Sequence, residues 1–317
     1  MKKENWTCLI EIVLLGFSDF QSMRELLFCL VLIFYLMSLM GNSLILILTI
    51  FSPTLHTPMY FFLWNLSFAE IGYTSSISPK MLVNLLSENQ NISFWGCECQ
   101  MSFFILFGIT ECCLLCVMAY DRYIAICQPL QYPSIMNLRE CTKLAAASWA
   151  IGISVCVGQS ISIFTLPFSG SNRISHFICD LMPVLRLAST NTYKNEVAIA
   201  TVTVLVILVP LLLILFSYIL IISTIFTMPL AKNRHKAFST CSSHLTVVCI
   251  FYGTGIITYI RLNSEYSMDN SRFLSLLYTV VTPSLNPIIY SLRNKEIKAA
   301  FKKSIKSIAR KQILFMG

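Results

Sequence analysis

Apolar residues run along this chain in seven long blocks separated by short polar stretches. They lie at approximately Leu26–Ile50, Met59–Val83, Met101–Tyr120, Leu144–Pro167, Val197–Phe226, Leu245–Ile260 with an extension back to Phe238, and Phe273–Leu292. Each is near the ~20 residues a helix needs to cross ~30 Å of hydrocarbon. In lipid every backbone amide must be paired within its own segment, so the blocks predict helices; they lack the short alternating pattern of membrane strands. The sixth block is diluted at its start by Ser239, Thr240, Ser242, Ser243 and His244. Pro210 in the fifth block, and Pro283 and Pro287 in the seventh, remove backbone donors where a helix can bend. The expected fold is an all-α membrane protein: a seven-transmembrane-helix bundle with a short amphipathic cytoplasmic helix after the seventh span. One domain covers 1–317, with 1–25 outside, 26–292 as the bundle and 293–317 as the tail.

Composition agrees with the pattern. Hydrophobic residues make up 56% and charged residues 12%, whereas soluble domains carry about 25% charged residues. The net charge of +8 is unevenly placed. Arg122, Arg139, Lys143, Lys232, Arg234 and Lys236 lie in loops on one side, and Arg293, Lys295, Lys298, Lys302, Lys303, Lys306, Arg310 and Lys311 lie in the tail. Together they are more than half of the 23 basic residues, which makes this the cytoplasmic side of a plasma-membrane protein. Such a face suits anionic lipid or a cytosolic partner; no nucleic-acid motif accompanies it. An odd number of spans then puts the N-terminus outside, where "NWT" at Asn5 is a glycosylation sequon. "NIS" at Asn91 is also outside but close to the bilayer, and "NLS" at Asn65 falls within a span. The apolar stretch near Cys8–Phe17 is short and interrupted by Glu11, so the first span serves as the signal anchor. In the tail, Ile297, Phe301, Ile305 and Ile308 recur at helical spacing between lysines. That pattern fits a helix lying on the inner leaflet, with a disordered basic tail as the alternative.

"MAYDRYIAIC" ends the third block with an acid and a base side by side, Asp121 and Arg122. Adjacent residues on a helix point about 100° apart, so they need not form one pair, and a boundary Arg can simply snorkel. Polar or kinking residues recur in the other blocks: Asn42 in "GNSLI", Glu70 in "LSFAE", Trp149, Pro210 with Tyr218, and Asn286, Pro287 and Tyr290 in "NPIIY". Jointly they resemble the rhodopsin-like G-protein-coupled receptors. "PMYFFLWNLSFAE", "MAYDRYIAICQPLQY", "KAFSTCSSHL" and "PSLNPIIYSLRN" resemble the vertebrate olfactory receptors within that family. The sixth block lacks the usual proline, and Tyr252 stands where most relatives outside this subfamily carry Trp; both features fit the resemblance.

The resemblance implies an odorant receptor that binds small volatile molecules and activates a stimulatory, olfactory-type heterotrimeric G protein, raising cAMP. The switch and coupling residues would be Asp121, Arg122, Tyr123, Tyr218, Asn286, Pro287 and Tyr290, with Arg122 held by Asp121 and the end of the sixth span at rest. Ile126, Pro129 and the loop Lys232–Lys236 would add to the G-protein face. The ligand pocket would be formed by Phe104, Ile105, Gly108, Cys112, Val202, Val206, Tyr252, Gly255, Tyr259 and Thr279. These side chains suit a small neutral molecule, and Phe104 stands where amine receptors carry an acid. Gly108 and Gly255 could instead permit close helix contact. The family pattern pairs Cys97 with Cys179, while Ser169 and Ser189 stand where relatives carry two further cysteines. Glu70 and Glu111 are acids inside spans, costly and by default functional. With Asn42 and Asn286 they could hold Na⁺, or they could be protonated and hydrogen-bonded. Cys112, Cys113 and Cys116 read as small buried hydrophobes, since no second pair or His completes a tetrahedral set. No nucleophile, phosphate-loop or dinucleotide motif is present, so no catalysis is expected. The competing readings are a rhodopsin-like receptor for a non-odorant ligand, and a transporter or channel, for which only Glu70 and Glu111 offer a polar path.

Overall fold

The computed structural model describes residues 11–16, 21–169, 171–228, 231–262, 275–294 and 296–303. Its helices are α1 (Arg24–Phe51), α2 (Pro58–Leu86), α3 (Phe94–Cys127), the short α4 (Tyr132–Ile135), α5 (Leu138–Phe164), the short α6 (Leu181–Leu185), α7 (Tyr193–Thr227), α8 (Ala231–Leu262) and α9 (Thr282–Arg293). Among the described residues four helices, α1, α3, α5 and α7, are long and apolar enough to cross a membrane, and α8 holds a shorter apolar stretch, Cys241–Ile257. At 29 residues α2 has the length. Its inward face, however, is spent on buried polar groups, among them Asn65, Glu70, Thr74, Ser78 and Asn84.

The helices outrun the apolar blocks. The third block marks 101–120, but α3 starts at Phe94, where the Ser93 hydroxyl accepts from the Gly96 amide at 3.0 Å. It ends at Cys127, just before Gln128 and Pro129, because the residue before proline is pushed out of the helical region. Apolar side chains report depth in lipid; caps and prolines set the ends. The fourth block, Leu144–Pro167, starts inside α5, which begins at the Asn137 cap, the Asn137 Oδ1 accepting from the Glu140 amide at 3.1 Å, but it overruns the end of α5 at Phe164 by three residues.

The seventh block is not one regular helix. Residues Leu277–Val281 form a wide π turn, closed by the Thr282 amide donating to the Leu277 carbonyl. Pro283 has no N–H for the normal ladder and its ring crowds the preceding turn, which a wider turn relieves. Beyond α9, Asn294 Oδ1 accepts from the amides of Glu296 and Ile297 and starts a further helical stretch over 296–303. The Tyr60 hydroxyl of α2 donates to Asn294 Oδ1 at 3.0 Å and to Glu296 Oε2 at 2.8 Å. In that stretch Ile297 is buried and Phe301 is exposed, while Ile305 and Ile308 lie outside the described residues.

The middle of the assembly is α3, which packs on α2, α5, α7 and α8. Close approach to α5 is possible because residue 152 is Gly. A Cβ there would lie 2.9 Å from the Leu106 carbonyl oxygen of α3 and closer still to Thr110 Oγ1. Outward, Leu205, Leu212, Phe216 and Ile219 of α7 are more than half exposed. Glu70, Glu111, Asn42 and Asn286 are within about 1% of fully buried. Apolar outside and polar inside suits a hydrocarbon solvent, not water.

One element has no counterpart in the seven blocks. Glu11–Leu14 forms a strand, β1, between β2 (Asn91–Ser93) and β3 (Arg173–Ile174). It runs antiparallel to β2 (Ile12 opposite Ile92) and parallel to β3 (Leu14 opposite Ile174). Ile12 and Leu14 are buried while Glu11 is exposed, so the short stretch dismissed as a leader is an alternating strand. It ties the N-terminal segment to two loops. Asn91, of the second sequon, donates from Nδ2 to Glu11 Oε2 at 2.8 Å. Asn5 lies outside the described residues.

Valine at position 152 should force α3 and α5 apart at a cost of about 1–3 kcal/mol. Gly158, where an added Cβ meets no described atom within 4 Å, is the control. Gly152→Val is expected to lose most folded protein at the cell surface and to lower the unfolding temperature in detergent, with Gly158→Val near the parent. Equal behaviour of the two variants would mean this helix contact is not tight.

Candidate functional site

A cavity of about 200 Å³ opens between α2, α3, α5, α6, α7, α8 and the π turn. On α3 the spacing i, i+4 puts Phe104, Gly108 and Cys112 on one wall, with Ile105 beside them. Across from α3, α7 contributes Val202 and Val206, and α8 contributes Tyr252 and Gly255. Eight of the ten anticipated pocket residues therefore line one space. Of Tyr259 only its place in α8 is described, and its side chain lies outside the described residues. Thr279 does not line the cavity. It is fully buried and its hydroxyl donates back to the Ser275 carbonyl at 2.6 Å. The π turn rotates the facing position, so Tyr278 and Thr282 look into the space instead.

The two glycines differ. A Cβ at Gly108 would touch Tyr73 Cε2 at 3.3 Å, so Gly108 does permit close packing. A Cβ at Gly255 would meet no described atom within 4 Å, so this glycine leaves room in the cavity. Phe104 stands between Tyr73, at 5.1 Å between ring centroids, and Tyr278, at 6.4 Å. Overhead, the Cys97–Cys179 disulfide fixes the long outer loop to the start of α3, with Cα atoms 5.5 Å apart. The Cys179 amide also donates to Gln100 Oε1 at 3.0 Å. Ser169 and Ser189 meet as well: Ser169 Oγ donates to Ser189 Oγ at 2.8 Å, and Ser189 Oγ to the Pro167 carbonyl at 2.9 Å. Beside them Asp180 caps α6, and burial pushes its carboxyl up against the opposing pull of the Leu181 amide.

Two side chains pin α8 to α3. The Tyr252 hydroxyl, at the cavity wall, donates to the Cys112 carbonyl at 3.3 Å. Two turns earlier on α8, His244 Nε2 lies 3.1 Å from the Leu115 carbonyl. A carbonyl can only accept, so Nε2 carries the proton and Nδ1 is left to accept. The Tyr218 hydroxyl of α7 supplies it, at 2.8 Å, with the two rings stacked at 5.8 Å. One histidine thus joins α3, α7 and α8.

At the inner end, Arg122, Tyr218 and Tyr290 are all buried, at 7%, 4% and 2% exposure. Asp121 and Arg122 do not pair with each other. Among the described residues the one salt bridge within 4 Å is Lys143–Glu140, on the surface. Asp121 Oδ1 instead accepts from the Tyr132 hydroxyl of α4 at 2.8 Å. Adjacent helix positions diverge, and α4 stands where Asp121 points. Burial, with the Asp121 carboxylate beside it, pushes the Tyr132 phenol up, so it stays a donor. Arg122 Nε and the Tyr290 hydroxyl are buried and make no hydrogen bond to a described residue. Tyr123 is partly exposed, as is Ile126, and beyond them Pro129 is exposed and Leu130 is 97% exposed. The side chains of Lys232 and Lys236 lie outside the described residues.

Between the cavity and this end sits a polar cluster. Asn286 Nδ2 donates to Glu70 Oε1 at 2.7 Å and to Glu111 Oε1 at 3.2 Å. Pro287 follows Asn286 inside α9. Asn42 donates to Ser38 Oγ at 3.4 Å, and Ser38 Oγ reaches Thr74 Oγ1 at 3.5 Å. Glu111 Oε2, Asn286 Oδ1 and Asn42 Oδ1 are buried without a hydrogen bond to a described residue.

The olfactory receptor family model matches residues 28–307. The chain belongs to the olfactory receptor family. It is 55% identical to human olfactory receptor 10A4 over 306 residues, covering 96% of this chain and 97% of that one. It is 50% identical to human olfactory receptor 10P1, covering 96% and 98%. It is 51% identical to human olfactory receptor 10A5, covering 96% of each. The protein is therefore an odorant receptor and a multi-pass membrane protein, a signalling receptor rather than an enzyme.

Several residues of the receptor's site were not singled out from sequence. His244 looked like dilution of an apolar block, though an ionisable side chain inside a span is itself a signal. Leu130 lies in the turn after α3 and Tyr132 opens the four-residue α4, which is too short for a hydrophobic period to mark. Gln159, Tyr73 and Tyr278 needed the helix faces to be known. His244→Leu keeps the bulk but removes both ties, leaving the Tyr218 hydroxyl only its longer contact to the Cys241 carbonyl at 3.4 Å, a loss of ~1–3 kcal/mol in the pinned state. It is expected to raise ligand-independent cAMP several-fold at matched surface level, whereas unchanged basal cAMP would mean the histidine only fills space.

Proposed function

We propose that this olfactory receptor crosses the membrane seven times with its N-terminus outside. Its cavity binds small uncharged volatiles, and its inner end activates a stimulatory G protein that raises cAMP. The observation that carries this reading is the double pinning of α8 on α3. Tyr252 is both a wall of the cavity and a hydrogen-bond donor to Cys112. His244 lies on the same helix at the level of Leu115, near the buried Arg122 end. A ligand that prefers Tyr252 displaced biases α8 away from α3 along its whole length, because a helix moves as a rod.

The inner end supports a second state. Among the described residues Arg122 Nε and the Tyr290 hydroxyl have no hydrogen-bond partner in this arrangement, each costing ~1–3 kcal/mol. Outward motion of α8 opens a cleft in which Arg122 gains partners from the G-protein α-subunit. Leu130, with Pro129 and Ile126, offers the apolar rim of that contact; the basic run Lys232–Lys236, expected as a loop, is the first part of helix α8, and it and the tail sit against anionic inner-leaflet lipid. The chain is one receptor domain, with 1–25 outside, 26–292 in the bundle and 293–317 in the cytoplasm.

The polar cluster of Glu70, Glu111, Asn42 and Asn286 fits a small hard cation such as Na⁺. Its uncommitted atoms, Glu111 Oε2, Asn286 Oδ1 and Asn42 Oδ1, are all oxygens, the donors such ions take. When bound, the ion would supply positive charge opposite the two carboxyl groups. Glu70 and Glu111 would hold it, and Asn286 would keep them in place.

The test measures cAMP in cells carrying the olfactory-type stimulatory α-subunit, against a panel of volatiles, with surface receptor counted. Arg122→Ala is expected to reduce the odorant response at least tenfold at matched surface level. Gly255→Phe, whose Cβ would meet no described atom within 4 Å and whose ring would take up cavity space, is expected to abolish the response to every ligand. A normal response by Arg122→Ala would overturn the coupling role, and an unchanged response by Gly255→Phe would overturn the cavity as the ligand site.

A further inference from the structure

Resting on that reading of the cavity, we propose that Gln159 is the hydrogen-bond partner of the ligand. The ligands are then uncharged molecules with one oxygen function, a hydroxyl or carbonyl, on an apolar frame.

Gln159 stands on α5, one turn after Val155, and both line the cavity. It is 6% exposed and makes no hydrogen bond to another described residue. An amide in an apolar wall is unfavourable until something pairs with it. Most other polar groups facing the space are committed. Tyr252 donates to the Cys112 carbonyl. Thr254 donates to the carbonyls of Ile250 and Phe251, and its oxygen lies 3.5 Å from that of Thr282. The Tyr278 hydroxyl is hydrogen-bonded to Ser275. The hydroxyls of Tyr73 and Thr203 remain, each with a single donor. Only the amide offers two donors together with an acceptor. A ligand carbonyl accepts from Gln159 Nε2; a ligand hydroxyl accepts there and can also donate to Oε1.

The same walls exclude other classes. No Asp, Glu, Lys, Arg or His lines the cavity among the described residues, so an amine or a carboxylate would be buried without a counter-charge. Its volume, about 200 Å³, is below the roughly 300–1,000 Å³ of drug-sized sites. The wall that carries Gln159 is also held in place. Next to it, Ser160 Oγ lies 2.7 Å from Ser102 Oγ of α3, and Cys156 Sγ donates to the Ser102 carbonyl at 3.1 Å. A donor on a fixed wall loses little freedom when the ligand arrives.

The experiment uses matched probes that differ at one atom: 2-octanone against 2-methyl-1-octene, and 1-octanol against nonane, with chain lengths of about five to ten carbons to suit a small pocket. Full-length receptor is assayed for cAMP at matched surface level as wild type, Gln159→Leu, Tyr73→Phe, Thr203→Val and Gly255→Phe. Wild type should prefer the oxygenated member of each pair. Gln159→Leu should weaken the oxygenated probes by about ten- to a hundredfold and the hydrocarbons hardly at all. The proposal is overturned if Gln159→Leu shifts both members of a pair equally, if Tyr73→Phe or Thr203→Val produces the selective loss instead, or if wild type answers no oxygenated probe. Gly255→Phe separates the two readings. If it abolishes all responses while Gln159→Leu is not selective, the cavity stands and the role of Gln159 falls; if it changes nothing, the cavity itself falls.

Discussion

A backbone carbonyl inside a helix accepts one bond from its own ladder and still has a second lone pair. The receptor uses that spare capacity to hold α8 against α3. Tyr252 takes the Cys112 carbonyl and His244 takes the Leu115 carbonyl, and neither bond competes with the α3 ladder. Releasing them leaves both helices intact. In a hydrocarbon environment a helix cannot change state by unwinding, since every freed amide would need a new partner. It can change state by exchanging side-chain bonds such as these. In the reading proposed above the bundle shifts helices as units, and the two ties are the side-chain bonds such a shift would break.

The polar groups along the middle of the bundle follow from the same constraint. Water is not available to satisfy them, so each either finds a partner in the bundle or is left with a cost. Asn286 satisfies two carboxyl groups at once, through one amide nitrogen. Arg122 Nε and the Tyr290 hydroxyl are left without a described partner. In the middle of the bundle Glu111 Oε2, Asn286 Oδ1 and Asn42 Oδ1 are likewise without a described partner, so unmet polar atoms run from the cluster to the inner end, and each is a place where a rearrangement can gain a bond.

Sequence reading reached the parts of this receptor that depend on side-chain type and spacing. The first six blocks anticipated the long helices α1, α2, α3, α5, α7 and α8, and i, i+4 spacing on α3 placed Phe104, Gly108 and Cys112 on one wall. It missed what depends on backbone irregularity. Thr279 was assigned to the pocket on the assumption of a regular helix, and the π turn before Pro283 moved Tyr278 into that place. The resemblance implied that Asp121 holds Arg122, although adjacent helix positions point apart, and in the structure Tyr132 takes the acid. Strand β1 escaped because four residues of alternation are too few to stand out beside blocks of twenty. The meeting of Cys97 with Cys179, and of Ser169 with Ser189, came from family pattern and could not have come from spacing alone.

The walls of the cavity divide the work of a ligand. The α5 wall, with Gln159, is fastened to α3 by the Ser160–Ser102 and Cys156–Ser102 contacts, so in the proposed shift of α8 it would stay in place. A bond to it would then stabilise both arrangements equally and shift nothing between them. The α8 wall, with Tyr252 and Gly255, is the one that would move, and contacts there would change the balance. Affinity can therefore come from one side of the cavity and efficacy from the other. Gly255 leaves the moving wall open to ligands of different widths, while the fixed wall imposes one polar requirement on all of them. A receptor arranged this way tolerates variation in the carbon frame and discriminates on the oxygen, because only the frame meets the wall that moves.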